Sequence, residues 1–291
     1  MTTFRAGFVA LVGPPNVGKS SLLNAVLGER LAIVTAKPQT TRSRILGILP
    51  RPGAQLLFLD TPGRHRGTRR LNEALNAVVE EVVRDCDVAL LLVDRTVGWT
   101  EIHDELAGSL AARSAPAIVV GTKSDLPAAG DAPWPIPEAP VGWPAHAISA
   151  RTGDGLEALL DAVAGALPES PALYDAETLT DRPVRWLCGE MIREAVFELL
   201  DQELPYSIAV EVRSFEEGGK HVRLRADLLV ERDSQKRIVV GRGGSMVKRI
   251  GIRAREAIEA FLDRPVHLEL FVKVDPGWPK SPRRIGELGY S

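Results

Sequence analysis

The chain has 291 residues, 45% apolar and 25% charged, with 36 Lys and Arg against 38 Asp and Glu; this suits two ordinary globular cores and excludes a disordered or fibrous chain. Cys86 and Cys188 lie far apart in apolar surroundings, as expected of buried thiols in a reducing compartment and not of a disulfide framework. Only a five-residue apolar run follows the first residues and no uncharged stretch nears the ~20 residues of a spanning helix, so the expected setting is the cytosol, with no signal peptide and no membrane crossing.

Phe8 to Val12 is an apolar run of strand length, and Ser21 to Leu27 carries helical periodicity. Between them, Gly13-Pro14-Pro15-Asn16-Val17-Gly18-Lys19-Ser20 fits G-x-x-x-x-G-K-[ST]. Closely spaced glycines let backbone N–H groups turn inward around phosphates, Lys19 reaches the outer phosphates, and the Ser20 hydroxyl takes magnesium. Ser21 opens the helix whose N-terminus faces the phosphates. The pattern implies a nucleoside triphosphate site and leaves the base open.

Four further apolar runs follow, at Leu56 to Leu59, Val88 to Val93, Ala117 to Val120 and Ala145 to Ile148. They interleave with helical patterns near Leu71 to Val83, Glu101 to Ala112 and Gly155 to Leu167. Such alternation predicts an α/β fold, a mostly parallel sheet with helices on both faces, and sites at the C-terminal ends of its strands. At the first of those ends stands Asp60-Thr61-Pro62-Gly63, where a carboxylate can hold magnesium through water and the Gly63 N–H can sense a terminal phosphate. At a later one stands Thr122-Lys123-Ser124-Asp125. The Asp125 carboxylate can accept from guanine N1 and N2, a donor pair adenine lacks; taken alone, it reads equally well as a loop aspartate before Pro127. Ile148-Ser149-Ala150 ends the last strand, with backbone N–H groups able to meet the guanine oxygen. Residues 126–144 hold six prolines and no apolar periodicity, which predicts an irregular loop in place of a helix.

Pro168-Glu169-Ser170-Pro171 punctuates the chain and sets the expected boundary between domains 1–170 and 171–291. Beyond it, Asp181 is the expected cap of a helix with Pro183 in its first turn, and Val184, Leu187, Met191, Ala195 and Leu199 recur at helical spacing. Ile208 to Val212 and Val222 to Leu228 alternate as strands around the turn 217–220. Next comes Ile238-Val239-Val240-Gly241-Arg242-Gly243-Gly244, then a helix over 245–262 and a strand over 266–274. Ser234 to Arg255 contains seven basic residues and no acid, a surface suited to polyanions.

The order of loops in the first half resembles the translation-factor-related GTPases, and residues 15–20 with Asp60-Thr61-Pro62-Gly63 resemble their Era branch. The second half resembles a type II KH domain whose G-x-x-G loop is Gly241-Arg242-Gly243-Gly244. There Ile238, Val240 and Ile250 are expected to form the groove for bases, with Lys248 and Arg249 extending the phosphate path; such a loop clamps ~four nucleotides. Similarity to Era also covers residues 203–207 and 265–270. The resemblance implies that Pro38-Gln39-Thr40-Thr41-Arg42 is the first switch, with Thr41 completing the magnesium shell in the GTP state and Thr40 beside it. It further implies that Lys19, Asn16, Thr40 and Gly63 serve hydrolysis, with Asn16 coordinating potassium in place of an arginine finger. Three features depart from the commonest pattern. Thr122 replaces an Asn whose amide braces the phosphate loop, which predicts weaker affinity. Arg64 stands where other GTPases place a water-orienting Gln, which predicts slow turnover, as Era-like proteins generally have. The proline-rich stretch replaces a helix.

Taken together, the resemblance implies a protein that binds and hydrolyses GTP and binds the 3′ region of 16S ribosomal RNA in the maturing 30S subunit. It also implies a cytoplasmic monomer with peripheral contact at the cytoplasmic membrane face. Two other readings stay open from the residues: a non-ribosomal regulatory module using GTP as a structural ligand, and an ATP-dependent RNA remodelling enzyme, disfavoured by Asp125.

Overall fold

Apolar alternation carries the chain straight into β1, Arg5–Val12, and the glycine-rich turn after it opens α1, Lys19–Leu27. The computed structural model describes residues 3–35, 37, 40–63, 70–113, 115–128 and 134–289. After α1 come β2 (Ile45–Arg51), β3 (Ala54–Asp60), α2 (Arg70–Asp85), β4 (Val88–Asp94), α3 (Glu101–Ala111), β5 (Ala117–Thr122), β6 (Ala145–Ala147) and α4 (Leu156–Ala166). The sheet order is β2-β3-β1-β4-β5-β6. All pairings are parallel except that of β2 with β3. The antiparallel β2 is an edge strand that apolar patterning did not reveal. It carries Gly47 and Pro50, and Pro is tolerated at an edge because it lacks a ladder donor.

Ala10, Val12, Ala89 and Leu91 on one face pack with Val79, Val82 and Val83 of α2 and Leu106 and Leu110 of α3. Their alternate neighbours Val9, Leu11, Leu90 and Leu92 point the other way and are just as buried, as a sheet covered on both faces requires. The parallel register sets Leu11 beside Asp60 and Asp94 beside Thr122, gathering these polar residues at one edge. No helix follows β5 among the described residues of 126–144. Instead the ring of Trp134 covers Gly121, where a Cβ would lie 2.5 Å from the indole, and the Arg95 guanidinium lies over that indole at 5.7 Å.

Packing divides the chain into residues 1–32 with 41–181, and residues 33–40 with 182–291. The division falls eleven residues beyond Ser170. The segment 171–181 stays with the first sheet because Gln55 Oε1 accepts from the N–H groups of Leu173 and Tyr174 and the Leu179 carbonyl accepts from Ile48. Proline and serine mark a turn there, not a change of packing partner.

The second unit contains α5 (Val184–Leu199), β7 (Ala209–Gly218), β8 (His221–Val230), α6 (Asp233–Val240), α7 (Ser245–Leu262), β9 (Val266–Val274) and α8 (Pro282–Glu287). Pro183, not Asp181, is the N-cap of α5. β7 and β8 form an antiparallel hairpin with a bulge between Val212 and Ser214, and β9 joins β8 in parallel. Val222, Leu224, Ala226 and Leu228 pack with Ile192, Val196, Ile250, Ala254 and Ile258 of α5 and α7. Ile250 is fully buried, so it belongs to this core and not to the groove for bases expected of it. A small second core of Ala209, Leu229, Trp278, Ile285 and Leu288 fixes α8. In the same unit Lys37 Nζ donates to the carbonyls of Phe197 and Leu200 and to Asp201 Oδ1, capping the C-terminus of α5 with all three of its N–H bonds.

Candidate functional site

The loop between β1 and α1 keeps its shape through its own lysine. Lys19 Nζ donates to the carbonyls of Gly13 at 3.1 Å and Pro14 at 2.8 Å, and burial lowers its pKa to about 8 against the raising pull of Asp60. Asn16 takes a left-handed backbone, φ 59, a conformation Asn tolerates better than most residues. Gly63 lies against the same loop; a Cβ on it would sit 2.8 Å from both Cα and N of Pro15, so only glycine allows this approach. Thr61, also buried, donates to the Leu11 carbonyl at 2.7 Å, locking the end of β3 to β1.

Three side chains converge beside the lysine. Ser20 Oγ donates to Asp60 Oδ2 at 2.6 Å and lies 3.0 Å from Thr41 Oγ1, and Thr41 Oγ1 is 3.4 Å from the same carboxylate oxygen. Asp60 Oδ1 is buried and has no hydrogen-bond partner among the described residues. Burial raises the Asp60 pKa to about 6, in spite of the hydrogen bonds from Ser20 and Thr41 and the charge of Lys19. Two hydroxyls and one carboxylate, whose Oδ1 is the orphaned buried oxygen, make a hard-oxygen donor set. That set fits magnesium, which binds through one or two carboxylates with substrate phosphates supplying the rest. No cluster of three or more His, Cys, Asp or Glu exists among the described residues to favour a softer metal. Thr41 joins this cluster; Thr40 packs with the second unit. Pro38, Gln39 and Arg64 lie outside the described residues.

Across the strand ends, Thr122 Oγ1 donates to the Val17 carbonyl at 2.7 Å, so a hydroxyl braces the phosphate loop where the sequence predicted the brace to be missing. Lys123 Nζ contacts Asp94 Oδ2 at 2.5 Å, and Thr96 also donates to Asp94. Ser149, fully buried, donates to Asp125 Oδ1 at 2.6 Å. Arg151 meets Asp125 Oδ2 through Nε at 2.9 Å and Nη2 at 2.7 Å. These donors hold the Asp125 pKa below its ordinary value, Ser149 first and Arg151 next. Neither the Thr122 brace nor Arg151 was read from the sequence. A cation two places after Ser149 was the available signal for the second.

In the other unit, α6 ends at Gly241 and α7 starts at Ser245, with Gly241, Gly243 and Gly244 all at positive φ between them. The sequence reading had no helix before this loop. Ile238 is exposed, Val240 half-buried and Val239 buried, so α6 turns Ile238 outward beside the loop. Arg242, Lys248 and Arg249 are exposed. Arg253 is held by Glu198 at 2.6 Å, which takes it out of the free cationic set. A loop of glycines opening a helix N-terminus beside unengaged cations is a phosphate-binding arrangement.

Comparison with known proteins agrees with both halves. The family model described as "50S ribosome-binding GTPase" matches residues 8–123, and the KH domain model matches residues 203–279. GTPase Era of Geobacter metallireducens is 44% identical over 293 residues, covering 99% of this chain and 98% of its own length. Its counterpart in Bordetella pertussis is 41% identical over 294 residues, with 99% and 98% covered. The crystal structure of Era in complex with MgGDPNP and nucleotides 1506-1542 of 16S ribosomal RNA aligns at TM-score 0.92 and 35% identity, covering 99% of each chain. An Aquifex aeolicus Era variant bound to GDP.AlF4- aligns at 0.91 and 34% identity, covering 99% of this chain and all of that one. With both domains matched and the relatives aligned from end to end, the chain belongs to the Era family of GTPases.

Proposed function

We propose that the chain binds the 3′ region of 16S ribosomal RNA through its KH domain, under control of the nucleotide held by its GTPase domain, and so assists maturation of the 30S subunit. The observation that carries this reading is the end-to-end likeness to the Era structure that contains both MgGDPNP and a 16S fragment, supported by the phosphate loop with Ser20, Thr41 and Asp60 gathered beside it. In this reading the backbone N–H groups of Gly13 and of residues 16–21 cradle the phosphates, with Pro14 and Pro15 shaping the loop between them, and Lys19 turns from its two carbonyls toward them. Ser20, Thr41 and Asp60 hold magnesium, which when bound neutralises phosphate charge. Gly63 presents its N–H to the terminal phosphate beside Thr61 and Pro62, and Thr40 flanks Thr41. Thr122, Lys123, Asp125, Ser149 and Ala150 form the guanine pocket. Asn16 is assigned the potassium site, and turnover without an activator is slow.

For RNA, Gly241 to Gly244 admit the phosphate backbone, Arg242, Lys248 and Arg249 supply charge, and Ile238 with Val240 offers an apolar bed for bases. No described helix is long and apolar enough to cross a membrane; the proposal has a cytoplasmic monomer, with peripheral contact at the cytoplasmic membrane face resting on family resemblance alone. Crosslinking the protein to RNA in cells and sequencing the captured fragments tests the assignment. Fragments should concentrate at the 3′ end of the small-subunit RNA, and reads spread evenly over messenger RNA would overturn it.

A further inference from the structure

The guanine pocket contains a cation that no part of the reading above uses. Arg151 donates from Nε to Asp125 Oδ2 at 2.9 Å and holds Nη2 in ion-pair contact 2.7 Å from the same oxygen, while Ser149 Oγ donates to Oδ1 at 2.6 Å. The loop holds this arrangement in place. Ser149 Oγ also accepts from the N–H groups of Arg151 and Thr152 at 3.3 and 3.1 Å, so the arginine backbone is tied to the hydroxyl that faces the same carboxylate.

An ionised carboxylate has about four lone-pair sites, two on each oxygen. Arg151 takes one site of Oδ2 with its Nε hydrogen bond and covers the rest of that oxygen with Nη2 at 2.7 Å, while Ser149 leaves one site on Oδ1. Guanine presents two parallel donors, N1–H and the 2-amino group, and needs one site on each oxygen. Hypoxanthine presents only N1–H and needs one.

We propose that Arg151 is a specificity-determining residue of the base pocket: guanine must displace its guanidinium from Asp125 Oδ2, whereas a base with a single donor binds at Oδ1 without moving it. The inference rests on the reading of Asp125 as the guanine receptor. Arg151 therefore acts as a built-in competitor that holds guanine affinity down and narrows the preference for guanine over hypoxanthine. The Arg151 side chain is 72% exposed, and exposed ion pairs are weak and screened by salt, so the effect is modest and ionic-strength dependent.

Calorimetry of GDP and inosine diphosphate binding to the full chain, its Arg151→Gln variant and its Asp125→Asn variant tests this. Arg151→Gln should bind GDP roughly two- to fivefold more tightly at low salt, bind inosine diphosphate as the parent does, and lose its advantage near 1 M salt. Weaker or unchanged GDP binding in Arg151→Gln, or an equal gain for both nucleotides, overturns the proposal and makes the arginine a support for the loop. Asp125→Asn separates the two levels. If it binds GDP as tightly as the parent, the base-edge reading fails and this inference with it; if it binds weakly while Arg151→Gln shows no gain, this inference alone falls.

Discussion

The hydroxyl of Thr122 reaches the carbonyl of Val17 at 2.7 Å and stands within 3.3 Å of the Val93 carbonyl, tying the end of β5 both to the phosphate loop and to β4. Removing a buried donor leaves its acceptor unsatisfied, at about 1–3 kcal/mol. Thr122→Val, which keeps the shape and loses the hydroxyl, should therefore weaken GDP binding roughly tenfold, and Thr122→Ser should stay close to the parent. Nucleotide dissociation rates measured on the two variants check this; equal rates would mean that the brace contributes nothing to the site.

Gly63 approaches the phosphate loop too closely for any side chain, since a Cβ would lie 2.8 Å from backbone atoms of Pro15. In Gly63→Ala either the loop or the end of β3 must move. A misplacement of about 1 Å at reacting groups costs up to ~10²-fold in rate. Single-turnover hydrolysis should fall at least about tenfold, and an unchanged single-turnover rate would show that the loop and the end of β3 absorb the methyl group.

Turnover should depend on the monovalent cation. An arginine finger is worth ~10³ to 10⁵ in rate, so if Asn16 holds potassium in that role, exchanging potassium for sodium should slow hydrolysis severalfold or more. Asn16→Ala should be slow in both salts. Equal rates for the parent in potassium and sodium would remove the role from Asn16.

His103 predicts a pH dependence of stability. Its Nδ1 accepts from the Thr100 N–H at 2.9 Å while Nε2–H donates to the Leu92 carbonyl at 3.1 Å, which defines the neutral tautomer. Burial lowers its pKa below 6.5; a second proton would also set N–H against N–H at Thr100. The unfolded chain thus takes up this proton first, and stability falls as pH drops below about 6.5. The melting temperature of the parent should decline between pH 7 and pH 5 more steeply than that of His103→Gln.

RNA binding should be separable from nucleotide binding. Arg242→Asp with Gly243→Asp places two carboxylates where phosphates would lie. Gly243 sits at φ 58, a region Asp tolerates, so the fold should persist. The double variant should lose RNA and keep GDP. Lys248→Ala should weaken RNA binding at all sequences and flatten the salt dependence by about one ion. Undiminished RNA affinity in the double variant would argue against the loop as the clamp.

The parts legible from sequence are those whose chemistry is local. Residues 13–20 carry their loop and helix start in adjacent positions, and β9 was read at its observed limits, 266–274. What escaped depends on distant partners. β2 is defined by its antiparallel pairing with β3, and nothing between Ile45 and Arg51 announces that pairing. In α6 the β-branched run Ile238-Val239-Val240 carries no helical signature of its own; the helix shows instead in Gln235 Oε1 accepting from the N–H groups of Glu231 and Arg232 at its start. Ile250 looked available beside the glycine loop, yet the turn of α7 points it into the core with Ala254 and Ile258. Thr122 was read by what an Asn would have offered, when the shorter hydroxyl already reaches the loop.

The indole of Trp134 lying on Gly121 ties together two choices that seem unrelated in the sequence. With the ring as a gasket, the Gly121 end of β5 is covered by an aromatic side chain. A side chain at position 121 would unseat it and wet the strand directly beneath the guanine-reading residues. The glycine at 121 and the indole at 134 are thus a single fitted pair.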